Sequence, residues 1–237
     1  MSKPSEPAAS GWQPAQPGEQ RSPCPALNSL ANGGHIPRSG IATRAQLVSA
    51  MVNRLGVSTA LADKLAVAAM EKFGKPGEGS EQVLHLQDLC EHGKLEHDAS
   101  LTRQDTHVGD NAKVDPALVE QLLSLSKNGQ TLTLDDLATA HQIRMQQSAQ
   151  GGHQVPSKAG FVGTVEASLL YNVLSRGQNG ISLADAREFL LHERIPEGLT
   201  GRDISMPQVA RRAITIALKG NLPICDAARR AKDALKK

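Results

Sequence analysis

The chain has 237 residues and a hydrophobic content of 39%, which together fit one domain with one core. Aromatic residues make up only 2%, so Leu, Ala, Val and Ile must build that core. A net charge of +2 excludes the strongly basic class that binds nucleic acids, and no apolar run approaches the length of a membrane span. We therefore expect neither a nucleic-acid nor a membrane partner, and the sequence leaves the oligomeric state open.

The first twenty residues are rich in Pro, Ser, Ala and Gln and contain no apolar signal-peptide core. We interpret residues 1–20 as a flexible arm, or as an arm that Trp12 lays over the surface, and residues 21–237 as the folded domain. The three cysteines lie far apart, and no N-x-[ST] glycosylation acceptor is present. These features favour a cytoplasmic location, or a secreted one if a leader has been removed.

Helical periodicity recurs along the chain, and no convincing alternating strand interrupts it, which predicts an all-α fold. Start signals support several helices: Asp115 precedes a proline, Thr133 precedes two acidic residues, and Ser182 precedes an acidic first turn. The predicted helices cover residues 24–32, 43–55, 58–72, 81–92, 96–103, 115–126, 133–147, 164–175, 182–193, 205–219 and 223–236.

Two stretches resemble each other, "LSKNGQTLTLDDLA" and "LSRGQNGISLADAR". Each has the pattern of a helix, an Asn-Gly turn and a second helix. A calcium-binding EF-hand loop would need carboxylates before its glycine and a glutamate at its end, and both stretches lack them. The pattern therefore favours two helix-turn-helix units without calcium.

The stretch "RSPCPALNSLANGG" places a cysteine between two prolines at the start of a predicted helix. Pro25 suits the first helical position, and a residue before proline is extended, so we predict that Cys24 is the N-cap. The free amides of Ala26 and Leu27 should then face its sulfur and stabilise the thiolate. This is chemistry for a nucleophile or a metal ligand, and the alternative is a buried structural cysteine.

The densest group of polar side chains lies in "LCEHGKLEHDASLTRQD". Glu96 and Ser100 are four residues apart and would share a face of the predicted helix 96–103. A carboxylate, a hydroxyl and a backbone carbonyl suit a hard cation such as Mg²⁺ or Mn²⁺. Asp98, next to His97, could fix the tautomer of that imidazole and raise its basicity. The alternative is a charged, solvated helix start.

The same stretch also offers soft ligands. A zinc site would use Cys90, His92 and His97, with Cys24 as a further ligand. The spacing of these residues matches no common structural zinc pattern, and the chain has no C-x-x-C pair. Oxygen ligation is therefore the better interpretation.

A third candidate, Glu166, lies in the apolar stretch "GFVGTVEASLLYNVL". Val162 and Val165 precede it, and Leu169 and Leu170 follow at helical spacing on its own face. Desolvation in such a setting raises the pKa of a carboxyl group, which is useful for proton transfer near neutral pH. The alternative is a glutamate at the edge of an amphipathic stripe.

Together these stretches resemble the heme-thiolate peroxidases, the family of fungal chloroperoxidase and the unspecific peroxygenases. The likeness rests on "PCPALNSLANGGHIPRSG", on "EHDASLTR" and on "SLADAREFLLHERIPEGLTGR", in that order, and covers about residues 21–210. It implies an all-α domain around a buried heme b. It also implies that Cys24 is the proximal iron ligand, and that a thiolate at this position favours cleavage of the O–O bond.

The resemblance assigns roles to the other two groups. Glu96, the carbonyl of His97 and Ser100 would bind Mg²⁺ or Mn²⁺ beside a heme propionate. Glu166 would be the distal acid–base residue, tuned by His97, which Asp98 would orient.

The resemblance also indicates the character of the pocket. Leu95 and Leu169 stand at substrate-channel positions where the family often has Phe, and Val165 replaces the glycine that commonly precedes the distal glutamate. With Val162, these side chains would contact the cofactor and form an aliphatic pocket for apolar substrates. The expected activity is oxidation or oxygenation of a small apolar organic molecule by hydrogen peroxide, with halide as a second substrate. The alternatives are a non-catalytic heme sensor or carrier, and a helical interaction module without a cofactor.

Overall fold

Helices carry most of the regular structure. A computed structural model describes residues 11–152, 155–199 and 202–220. The α-helices in these ranges are α1 Pro25–Asn32, α2 Arg44–Leu55, α3 Thr59–Phe73, α4 Pro116–Ser124, α5 Leu134–Gln150, α6 Ser157–Leu174, α7 Leu183–Leu190 and α8 Met206–Lys219. The all-α prediction is confirmed, with a few short strands added. The predicted helix 223–236 lies outside the described residues, as does Cys225.

Side-chain caps start several helices at the predicted positions. The Asp115 carboxylate accepts hydrogen bonds at the start of α4, and the Ser182 hydroxyl accepts the Asp185 amide in α7. Thr133 and Asp136 form a reciprocal capping box at the start of α5. Each cap satisfies amides that have no partner inside the helix, which is why these residue types fix the helix starts.

Short strands replace part of one predicted helix. The strands β1 Ile41–Thr43, β2 Lys75–Pro76 and β3 Gln82–His85 form an antiparallel sheet in the order β1-β3-β2, with Ile41 opposite His85. A 3₁₀-helix, Leu86–Cys90, follows β3. The predicted helix 81–92 is therefore wrong, because hydrogen bonds to the distant β1 and to the neighbouring β2 stabilise the extended form.

The two similar stretches pair with each other through short strands. Strands β4 Thr131–Leu132 and β5 Ile181–Ser182 are antiparallel, with Thr131 opposite Ser182. Each strand lies directly before a helix, so the pairing joins the starts of α5 and α7.

The predicted helix 96–103 is also wrong. No helix is assigned between the 3₁₀-helix and α4, and Ala99 has a φ of 66°, in the left-handed region that ends a right-handed helix. The Ala99 amide donates to the Asp105 carboxylate over 2.8 Å, and the Ser100 carbonyl accepts from Arg144 of α5 over 2.7 Å. These side chains take the backbone groups that a helix would use.

The main core joins the helices and the sheet. Helix α6 packs against both α5 and α8, α2 packs against α3, and α4 packs against α7. The most deeply buried core side chains include Leu30, Leu84, Leu122, Leu137 and Leu174. The described helices are all too short or too polar to cross a bilayer.

Residues 11–20 lie along the surface of the domain. The Trp12 indole donates to the Glu193 carbonyl over 3.1 Å, and the Arg194 guanidinium lies 4.2 Å from the centre of the indole ring. Trp12 thus connects residues 11–20 to the segment that follows α7.

Candidate active site

Cys24 occupies the N-cap of α1, as predicted. Its backbone is extended, with φ −83° and ψ 111°, and Pro25 follows at the first helical position. The thiol makes no capping hydrogen bond of regular geometry among the described residues, although the amides of Leu27 and Ala26 lie close enough to act on the sulfur. The side chain keeps some accessible surface while many protein atoms surround its sulfur.

The thiol pKa departs from the expectation. Burial raises the pKa of Cys24 above its ordinary value, and the charge of Glu166 raises it further. The amides of Leu27 and Ala26 and the charge of Arg103 act in the opposite direction without reversing the shift. The expected stabilisation of the thiolate is therefore not achieved by the protein chain alone, and a cation bound to the sulfur would have to supply it.

His97 and Glu166 face each other across the site. The His97 Nε2 lies 3.5 Å from the Glu166 Oε2, at an ion-pair distance too long for a good hydrogen bond. The His97 Nδ1 lies 2.7 Å from the backbone carbonyl oxygen of Asp98, to which it donates. Asp98 thus orients the imidazole as predicted, but through its carbonyl rather than its carboxylate.

The charge of Glu166 changes the titration of its neighbour. Burial by itself would lower the pKa of His97, but the carboxylate of Glu166 and the carbonyl of Asp98 outweigh it and raise the pKa to about 9. At neutral pH both ring nitrogens therefore carry protons, and the pair is an imidazolium beside a carboxylate. The side chain of His97 is 9% exposed and that of Glu166 is 58% exposed.

The surroundings of Glu166 are apolar but open. Val162, Val165 and Leu169 lie on the same side of α6 and remain partly exposed. The Glu166 side chain is therefore exposed to solvent, whereas the sequence suggested that apolar neighbours would bury it. An open apolar stripe next to a carboxylate suits a flat apolar group that would cover it.

The predicted cation ligands do not share a helix face, because their segment is irregular. The Glu96 side chain is 5% exposed, and its Oε2 lies 2.7 Å from the His92 Nδ1. One oxygen of the carboxylate therefore already has a histidine as its partner. The Ser100 hydroxyl faces the Thr102 amide at 3.5 Å. Leu95, beside Glu96, is partly buried against the main core.

A different trio of potential ligands lies close together in the described ranges. One oxygen or nitrogen atom from each of Asp98, Asp105 and His107 lies within 4.8 Å of the others. Asp105 already accepts hydrogen bonds from the Ala99 amide and from Arg144, so its carboxylate stabilises the irregular segment rather than waiting for a metal ion. Over the same ranges, the zinc alternative built on Cys90 is not assembled.

Sequence reasoning missed two residues of α5 that support the site. Arg144 is 6% exposed and donates to the Ser100 carbonyl and the Asp105 carboxylate, which fixes the irregular segment in place. His141 is 1% exposed and lies against Gly163 of α6. The sequence does contain a signal for these two residues. A histidine and an arginine three residues apart lie on the core-facing side of an amphipathic helix, where polar side chains are unusual.

His141 also lies close to His97. A methyl group at Gly163 would be 2.9 Å from the His141 Cδ2 and 3.4 Å from the His97 Cε1, so the glycine lets the two rings approach α6 together. Burial lowers the pKa of His141 to about 4, with a further contribution from the charge of His97. His141 is therefore neutral at pH 7 beside a charged His97.

The fold and the site define a mainly helical protein with a cysteine at a helix start and a carboxyl group that pairs with a histidine. The charge of that carboxyl group, Glu166, raises the pKa of the cysteine thiol, and apolar side chains of α6 lie beside it. These features fit an iron porphyrin, which needs an axial ligand and apolar contacts. The family model for peroxidase family 2 matches residues 10–204, and the chain belongs to that family. The resemblance to heme-thiolate peroxidases is confirmed, and the protein is a peroxide-dependent oxidoreductase for which heme and iron are expected.

Curated relatives agree with the family. An aromatic peroxygenase of Coprinellus radians is 28% identical over 78% of this chain and 80% of its own length. An aromatic peroxygenase of Cyclocybe aegerita is 33% identical over 48% of this chain, which spans 35% of that protein. A chloroperoxidase of Leptoxyphium fumago is 29% identical over 56% of this chain, which spans 38% of it. The chain thus aligns with only about a third of these last two relatives.

Proposed function

We propose that the protein binds heme b through Cys24 and uses hydrogen peroxide to oxidise or oxygenate a small apolar organic molecule. The observation that carries the proposal is the extended N-cap position of Cys24 before Pro25, in a chain that belongs to peroxidase family 2. Bound heme with a thiolate ligand supplies the redox chemistry that cleaves a peroxide O–O bond. The protein contributes the ligand, the apolar surroundings and the groups that move protons.

Glu166 is suited to move the peroxide proton. Its carboxyl group lies 3.5 Å from the Nε2 of His97, which is protonated at neutral pH, and its side chain is accessible to a small molecule. The Glu166 Oε2 would accept a proton from one peroxide oxygen and return it to the other, which leaves as water. The Asp98 carbonyl accepts a hydrogen bond from the His97 Nδ1 over 2.7 Å, which orients the ring with its Nε2 toward the Glu166 carboxyl group.

The substrate class follows from the aliphatic character of the site. Leu95, Val162, Val165 and Leu169 offer apolar surface without an aromatic ring, so they favour apolar substrates and give no ring stacking. The relatives' names point to aromatic substrates and to chloride. We propose a small apolar organic substrate, with halide as a second one.

We also propose that Mg²⁺ or Mn²⁺ binds Glu96, the His97 carbonyl and the Ser100 hydroxyl. Such a cation prefers these oxygen ligands. The His92 Nδ1 lies 2.7 Å from the Glu96 Oε2, so the cation would bind the other carboxylate oxygen or displace His92.

Replacing Glu166 tests the proposed activity. Glu166→Gln keeps the size and polarity of the side chain but cannot transfer a proton. Peroxide consumption at neutral pH should fall by about two to four orders of magnitude, while heme stays bound. Glu71→Gln, at an exposed position of α3, is the matched control and should keep the parent rate. A Glu166→Gln protein as active as the parent would contradict the proton role, and a heme-loaded parent that consumes no peroxide would indicate a heme carrier.

A further inference from the structure

Glu193, in the turn that follows α7, connects segments that are far apart in the sequence. Its carboxylate accepts hydrogen bonds from Asn28 of α1 over 2.8 Å and from Arg103 of the irregular segment. Its carbonyl accepts from the Trp12 indole over 3.1 Å and from the Asn32 amide group over 3.3 Å. One residue thus joins the N-terminal arm, the helix that starts at the cysteine and the segment before α4.

The backbone of Glu193 adopts an unusual conformation. Its φ is 48°, in the left-handed region that side chains other than those of Gly, Asn and Asp rarely adopt. Such a conformation persists where surrounding contacts impose it, and the four hydrogen bonds of Glu193 are such contacts. The turn therefore presents both the carboxylate and the carbonyl of this residue inward.

A chain of hydrogen bonds runs from Glu193 to the cysteine. Asn28, fully buried, donates to the Ser22 carbonyl over 2.8 Å and accepts the Ser22 amide over 2.9 Å. The Ser22 hydroxyl in turn accepts the Cys24 amide over 3.2 Å. The carboxylate of Glu193 thus fixes the amide of Asn28, which fixes the loop that carries Cys24.

The partner on the other side is a buried cation. Arg103 is 1% exposed, and its guanidinium also donates to the Thr102 hydroxyl over 2.8 Å. A buried guanidinium needs a counter-charge, and the Glu193 carboxylate supplies it at 17% exposure. Arg103 belongs to the segment that contains Glu96 and His97, so the ion pair ties the cysteine loop to the opposite part of the site.

We propose that Glu193 is a positioning residue that sets where the Cys24 sulfur lies relative to the segment carrying His97. This inference rests on the proposed role of Cys24 as the iron ligand. Hydrogen-bonded partners of a metal ligand orient it, and their loss lowers metal affinity or activity by about 10- to 100-fold in known sites. We expect a loss of heme affinity of that size here.

The test replaces Glu193 by glutamine and compares it with Glu188→Gln. Glu188 pairs with Arg194 over 3.2 Å near the same end of α7, whereas the Asn28 side chain donates to Glu193. Heme affinity of Glu193→Gln should fall by about 10- to 100-fold. Part of its reduced carbon-monoxide complex should lose the red-shifted thiolate band. In the heme-free protein, a thiol reagent should label Cys24 faster than in the parent, as read by mass spectrometry of that peptide.

A second variant covers the case in which Glu193→Gln fails to fold because it leaves Arg103 unpaired. Asn28→Ala keeps the ion pair of Arg103 and Glu193 and breaks only the link toward Cys24, so it should show the same spectral and labelling changes. The inference would be overturned if a variant that folds binds heme as tightly as the parent, shows the same spectrum and has Cys24 labelled at the same rate. A parent protein without a thiolate band would instead refute the proposed function, while Cys24 labelling of the heme-free chain would still test the positioning role.

Discussion

The buried, neutral His141 makes a specific prediction about acid stability. Its pKa falls from an ordinary 6.5 to about 4, because burial and the nearby charge of His97 disfavour the imidazolium. Between these pH values the unfolded chain takes up a proton at this position and the folded chain does not. The free energy of unfolding must therefore decrease as pH falls from 6.5 to 4, by about 3 kcal/mol at about 1.4 kcal/mol per pH unit.

His141→Gln removes that titration and keeps a polar side chain. Denaturant unfolding of the heme-free protein at pH 7 and at pH 4 should show a loss of stability that is smaller in the variant by about 3 kcal/mol. His192→Gln, at an exposed position, should keep the loss seen in the parent. If the parent and His141→Gln lose the same stability between these pH values, His141 is not held neutral by the fold.

The tight contact at Gly163 predicts that Gly163→Ala destabilises the protein by about 1–3 kcal/mol because the added methyl group displaces His141. Gly160→Ala, which meets only the flexible end of Met145, should be near neutral in the same thermal unfolding assay. The raised pKa of His97 means that its pairing with Glu166 stabilises the protein fully below pH 6.5 and is lost as pH rises through about 9. Because Glu166 is 58% exposed, this pairing contributes only about 1 kcal/mol, so His97→Gln should cost about 1 kcal/mol more at pH 6 than at pH 10 in denaturant titrations. Elemental analysis should find Mg²⁺ or Mn²⁺ that Glu96→Gln loses, and stoichiometric zinc that disappears in His92→Ala would contradict the proposed ligands.

Local chemistry explains the parts of the structure that the sequence predicted. The N-cap position of Cys24 follows from the two prolines beside it, and the caps at Asp115, Thr133 and Ser182 follow from side chains that reach nearby amides. The stripe of apolar residues around Glu166 follows from helical spacing alone. Each of these features depends on residues a few positions apart.

Long-range contacts explain the parts that could not be predicted. Residues 82–85 form a strand because β1 and β2 lie on either side of it. Residues 96–103 avoid the helix because Arg144, more than forty positions away, takes the carbonyl of Ser100. Asp98 orients His97 by its carbonyl because the irregular backbone turns that group toward the ring. Neither β1 nor Arg144 can be recognised in the local sequence of the segment that it constrains.

The absorption spectrum of the reduced, carbon-monoxide-bound protein tests the central claim most directly. Thiolate ligation by Cys24 predicts a strongly red-shifted Soret band, because the sulfur donates electron density to the iron. Cys24→Ala should lose this band and much of the heme, whereas Cys90→Ala should keep both. A spectrum typical of histidine ligation in the parent protein, or an unchanged band in Cys24→Ala, would contradict the claim.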